Sequence, residues 1–65
     1  MDLANRFVEL RKKMGLSQQE LADAAGVTQA SISNYESGKQ IPSVNTADKI
    51  ASALGVSLNE LLRGA

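Results

Sequence analysis

The 65-residue chain contains no cysteine, no histidine and no tryptophan, and only one proline. Without cysteine no disulfide can staple the fold, and without cysteine and histidine the usual zinc sets cannot form, so packing alone must hold it. The same absences remove the thiol nucleophile and the commonest general base of enzymes, and there is no phosphate-cradling glycine loop and no carboxylate pair that the helical pattern clearly gathers in a cleft. We therefore expect no enzyme, no metal, no cofactor and no small-molecule ligand. Long apolar runs are missing too. The first fourteen residues are broken by Asp2, Asn5, Arg6 and Glu9, which excludes both a membrane span and the apolar core of a signal peptide and points to a soluble, cytoplasmic chain. Nor is there an excess of either charge, because seven basic residues balance seven acidic ones and the pI is near 6.1. Any polyanionic partner would have to be held by the distribution of charge, since the sum gives no help.

What the chain does have is helical periodicity. Its organising stretch runs from Gln18 to Ser37, QQELADAAGVTQASISNYES, as two short helical patterns joined at Gly26. Leu21 and Ala25 lie one turn apart, as do Ile32 and Tyr35, so each segment turns a narrow apolar stripe inward. Gly26 supplies the left-handed conformation that ends a helix at little steric cost, and Thr28 is a good N-cap for the next. Ala22 is small where two helices on so short a link must cross closely. With Ala22 four residues before Gly26 and Ile32 six after it, the spacing is that of a helix-turn-helix motif over residues 18–37. A plain helical hairpin within another small bundle satisfies the same residues.

The flanks supply three more helices. Leu3, Phe7, Leu10 and Met14 form one stripe of a first helix that Gly15 ends, with Arg11, Lys12 and Lys13 in the last turn, where cations suit the helix dipole. Leu16 is expected to pack inward, and Ser17 with Glu20 reads as a capping box that opens the second helix. After the third helix, about Thr28 to Ser37, the segment SGKQIPS is the one real loop. There Ile41 is expected to act as an apolar anchor, and Pro42 bars helix before Ser43 caps the fourth. Val44, Ala47, Ile50, Ala51 and Leu54 share the stripe of that helix, and Gly55 stops it. A second capping box, Ser57 with Glu60, opens a fifth helix that should bury Leu61 and Leu62. The expected fold is all-α, a compact five-helix domain occupying residues 1–65, without strands or repeats.

The outer face of the third helix carries Ala30, Ser33, Asn34 and Ser37, flanked by Gln29 and Ser31. It is short, polar and nearly uncharged, whereas solvated helix faces usually recruit Lys and Glu for propensity and for pairs one turn apart. Short polar groups suit the edges of bases. Glu36 and Arg11 each lie near the edge of an apolar stripe, and we expect them to pair and tie the third helix to the first. Two separate solvated charges are the alternative.

Four linked segments in order, RKKMGLSQQELA, AGVTQASISNYE, SGKQIPS and KIASALGVSLNELL, resemble the phage-repressor type of helix-turn-helix domain, the class of lambda-like repressors, Cro proteins and XRE regulators. The resemblance covers nearly the whole chain. It implies a transcription regulator, a repressor in many relatives, that binds double-stranded DNA with its third helix in the major groove and is found at the nucleoid when bound. It further implies that Gln29, Ala30, Ser33 and Asn34 face base edges, a role their chemistry allows, since glutamine can bond adenine bidentately and an alanine methyl can sit against thymine. Ser17, Gln18, Lys39, Gln40 and Ser43 would lie at the sugar-phosphate backbone, where the free amides of helix N-termini attract anions. For Ser17 and Ser43 capping is a second reading, and for Lys39 simple solvation. A two-fold dimer is implied as well, with Val56, Ser57 and Leu58 at the corner of the last two helices as candidate contacts, although two apolar residues beside a turn also serve as core anchors. Without an evident oligomerisation segment the homodimer is expected to be weak or assisted by DNA. The departures are that the third helix lacks Arg and Lys and the loop after it has a single Lys. They keep open a protein-interaction or antitoxin-like module of the same fold with little DNA affinity.

Overall fold

Side-chain oxygens start four of the helices of this chain, and left-handed glycines follow several of them. In the computed structural model, which describes residues 3–63, the order is α1 (Leu3–Lys13), α2 (Gln18–Ala25), α3 (Gln29–Ser37), α4 (Val44–Ala53) and α5 (Leu58–Arg63), with no strand among the described residues. At the head of α2, Ser17 Oγ accepts from the Glu20 amide at 3.0 Å while the Ser17 amide donates to Glu20 Oε1 at 2.8 Å. Thr28 and Ser43 accept in the same way from the amides of Ser31 and Thr46, and Ser57 repeats the reciprocal box with Glu60. Each cap satisfies an amide that the helix leaves unpaired and contributes about 1 kcal/mol.

The helices close around one buried cluster formed by Phe7, Leu10, Leu21, Ala22, Ala25, Ile32, Ala47, Ile50, Ala51, Leu54 and Leu61. α2 lies at the centre, against both α3 and α4, while α1 packs on α3 and α5, and α5 on α4. The close crossing expected at Ala22 is present, since that residue is fully buried. Tyr35 is half-buried and meets Phe7 in a tilted ring pair with centroids 6.3 Å apart, so α3 is clamped to α1 at its middle.

Four residues expected inside are outside. Met14 is 53% exposed because α1 stops at Lys13, the chain turns at Gly15, and Leu16 packs against the cluster from beyond the turn. Ile41, expected as an anchor, is 83% exposed and borders a surface groove with Phe7, Tyr35 and Pro42. Val44 is 71% exposed; as the first residue of α4 it extends past the core, and the buried stripe starts one turn later at Ala47. Leu62 is 45% exposed, because neighbouring helical residues point about 100° apart and Leu61 already occupies the inward position.

One contact spans the chain. Arg6 on α1 donates through Nη2 to the carbonyl of Glu60 at 3.0 Å and, at 3.4 Å, through Nε to that of Leu61, while Nη1 pairs with Glu9 at 2.7 Å. A cation thereby meets carbonyl groups of α5, where the helix dipole is negative.

Candidate nucleic-acid interface

The placement of α3 follows from the turn before it. Gly26 has φ of 71°, a left-handed value that ends α2 three residues before α3 begins at Gln29, and Val27 N–H then reaches back to the Ala22 carbonyl at 3.0 Å. α3 leaves this turn with Ile32 buried, so Ala30, Ser33 and Asn34 are turned away from the core, while Gln29 on the flank is exposed at the first position of the helix. Gln29 and Ala30 are exposed, and Ser33 and Asn34 are half-exposed. The face has no charged side chain, for the one charged residue of α3, Glu36, is turned toward α1.

Glu36 is where the frame is strongest. Its carboxylate accepts from Arg11 Nε at 2.7 Å and Nη2 at 3.1 Å, a bidentate pair whose side chains are only 14% and 5% exposed on the Arg and Glu sides. Arg11 Nη1 also donates to the Leu16 carbonyl at 2.9 Å, so one guanidinium joins α1, the segment leading into α2, and α3. The hydrogen bond to Glu36 pushes the Arg11 pKa up, burial opposes that, and the negative charge of Glu36 adds to the rise. The expected pair is therefore present, with a third partner that periodicity did not reveal, because Gln18 Nε2 also donates to Glu36 Oε1 at 3.0 Å.

Gln18 extends this network to the exposed face, where its Oε1 accepts from Gln29 Nε2 at 2.7 Å. A residue expected at the backbone and one expected at a base edge are thus in direct contact. The same holds for Asn34, whose Nδ2 donates to Gln40 Oε1 at 3.2 Å, while the amides of Lys39 and Gln40 bond the Asn34 carbonyl. Ser17, Lys39 and Ser43 are exposed; Ser17 and Ser43 cap α2 and α4, and the Ser43 hydroxyl also donates to Thr46 Oγ1 at 3.1 Å. Lys12 and Lys13, exposed in the last turn of α1, follow directly on Arg11. Val56 and Leu58 both pack against the core while remaining partly exposed, with Ser57 exposed between them. Sequence reasoning missed the Gln18 and Arg6 contacts, since both depend on angles between helices that no spacing encodes.

A helix-turn-helix family model matches residues 8–61, taking in every helix that builds this face. The chain belongs to the helix-turn-helix family. This helix-turn-helix chain is 41% identical over 59 residues to the SPbeta prophage-derived HTH-type transcriptional regulator YonR of Bacillus subtilis (strain 168), covering 91% of the chain and 55% of that protein. Over 61 residues it is 36% identical to the cryptic phage CTXphi transcriptional repressor RstR of Vibrio cholerae, covering 94% of the chain and 54% of the repressor. Among solved structures, the P22 c2 repressor in complex with a synthetic operator superposes with a TM-score of 0.90 at 28% identity, covering 100% of this chain and 98% of that one. The likeness to phage repressors read from the four sequence segments holds for the family and for the three-dimensional fold. The helix-turn-helix chain spans about half the length of the curated relatives it matches.

Proposed function

We propose that this chain is the sequence-specific DNA-reading unit of a transcriptional regulator, a single domain over residues 1–65 whose α3 enters the major groove. The observation that carries the reading is the α3 face itself, short, polar and uncharged, on a helix clamped to α1 by a bidentate ion pair. Gln29, Ala30, Ser33 and Asn34 meet base edges, while Ser17, Gln18, Lys39, Gln40 and Ser43 meet sugar and phosphate. The superposition on a repressor solved with its operator, and the names of relatives that are transcriptional regulators, support this reading. The protein works by binding, not as an enzyme, in the cytoplasm and at the nucleoid when on DNA. Two copies meet through the α4–α5 corner at Val56, Ser57 and Leu58, weakly or with the help of DNA, which sets the two α3 helices about 34 Å apart, one turn of the duplex.

Selection of bound sites from a random duplex pool tests the whole reading. We expect a palindromic consensus with half-sites one turn apart. A zero net charge favours a second reading, a protein-interaction or antitoxin-like module that keeps the fold with little DNA affinity. No enrichment of any sequence, together with no salt-dependent binding to duplex, would overturn the DNA-reading proposal and favour that alternative.

A further inference from the structure

The groove that Ile41 borders lies between α1 and the segment after α3. Its volume is about 280 Å³, near the lower end of the range for small-molecule sites. Leu3, Ala4 and Phe7 of α1 form one wall, Ile41 and Pro42 of the loop form the other, and Tyr35 of α3 joins them. Phe7 is almost wholly buried, so its ring pair with Tyr35 is the floor, while Ile41 stands exposed at the rim. No charged side chain is among the lining residues.

The polar groups at the edge of this apolar surface are donors. Gln40 lines the groove, and its Oε1 accepts from Asn34 Nδ2 at 3.2 Å, which leaves the Nε2 hydrogens to be offered. Lys39 lies between two lining residues, Gly38 and Gln40, is exposed, and forms no ion pair among the described residues. An ammonium and an amide nitrogen can only donate, so their complement is an anionic acceptor. The body attached to it must be apolar, to cover Phe7, Ile41 and Pro42, and no larger than one ring or a short acyl chain. Protein partners bury on the order of 1,000 Å² or more, far beyond what this groove supplies. We infer that the groove binds a small apolar carboxylate, an aryl or short-chain acyl acid, whose anion is met by Lys39 and Gln40. The sequence carries no sign of such a site because its walls come from segments far apart in the chain.

The site has a regulatory consequence that rests on the DNA-reading proposal, in which the same two residues meet phosphate. Lys39 cannot serve a carboxylate and a phosphate at full strength, and the bound anion repels the DNA backbone. Ligand and operator then compete, each weakening the other by the same factor, so the carboxylate acts as an inducer.

NMR titration of the nitrogen-15-labelled full chain without DNA tests the site by itself. Phenylacetate and hexanoate are expected to shift the amides of Leu3, Ala4, Phe7, Tyr35 and residues 38–41, saturating with a Kd on the order of 1 mM. Phenylacetamide, which keeps the ring without the charge, should bind about threefold more weakly, and acetate, which keeps the charge without the body, should not bind. Lys39→Gln, in an exposed loop, should bring phenylacetate down to the level of the amide. Ala4→Trp fills the groove and should abolish binding while duplex affinity stays unchanged. Shifts that fail to saturate or are scattered over the surface overturn the site, as does a phenylacetamide that binds as well as the acid. So does an Ala4→Trp variant that binds normally, or groove shifts that follow protein concentration alone and so reveal a second copy. In anisotropy titrations on duplex, saturating phenylacetate should weaken binding and make the slope of log K against log salt shallower by about 0.9 for each Lys39 withdrawn. An unchanged affinity and slope with the groove filled overturns the competition. A chain that binds phenylacetate but no duplex overturns the DNA-reading proposal and leaves the site standing.

Discussion

At the scale of single residues, Glu36 holds the one mostly buried ion pair among the described residues. Removing one partner of a mostly buried ion pair leaves the other uncompensated, so Glu36→Ala is expected to cost about 3 kcal/mol in urea unfolding. A chain of this size has on the order of 3–10 kcal/mol in total, so the variant sits close to unfolding. Replacing both partners, Arg11→Met with Glu36→Leu, should cost much less, because no charge is then stranded. The raised Arg11 pKa fixes the sign of the pH dependence. The contribution of the guanidinium is complete below its unfolded pKa and is lost only as pH rises through the folded one, so no loss from this group is expected across the neutral range. On the reading face, Asn34→Ala should cost about 1–3 kcal/mol on the preferred operator and relax one position of each half-site. An equal loss on random duplex would show that Asn34 acts on the backbone instead. The pairing of Arg11 with Glu36 could be foreseen because each sits at the edge of an apolar stripe. The contacts of Gln18 could not, since a polar amide at the head of one helix carries no sign in the sequence of what lies across from it.

Among the elements, α2 is the hub, and its start is the most defined boundary in the chain. Ser17→Ala removes an acceptor from the Glu20 amide and should lower stability by about 1 kcal/mol in thermal or urea melts. Ser17→Gly should cost only a few tenths of that unit. A loss well beyond 2 kcal/mol would mean that Ser17 supports more than its own helix. All five helices were legible in the sequence, as were the capping serines, because caps are local chemistry and three or four residues contain all of it. The apolar stripes were legible only where another helix lies opposite. Val44 continues the pattern of Ala47 and Ile50 yet emerges at the surface, and Leu62 follows Leu61 at a rotation that cannot also face inward. Periodicity reports which side of a helix is apolar, and it says nothing of how far along that side the neighbouring helix extends.

For the whole molecule, the proposed function makes charge distribution the feature that decides how DNA would be held. If Lys39 and one of Lys12 or Lys13 neutralise phosphates in each subunit, a dimer makes about four such contacts and log K should fall against log salt with a slope near −3.6. A slope steeper than about −7 in an anisotropy titration would mean that further cations are engaged. The Arg6 bridge has a different consequence. Because α1 and α5 are held together by a side chain near one end of the described chain and carbonyls near the other, covalent connectivity between α3 and α4 is not what makes the fold close. A circular permutant, joined by a short flexible linker from α5 to α1 and opened within the exposed segment 38–41, should recover the same core and melt within a few degrees of the parent. Chain order would then be separable from architecture, and a new pair of ends would lie beside the reading helix, where a fused partner could be carried to a chosen DNA site.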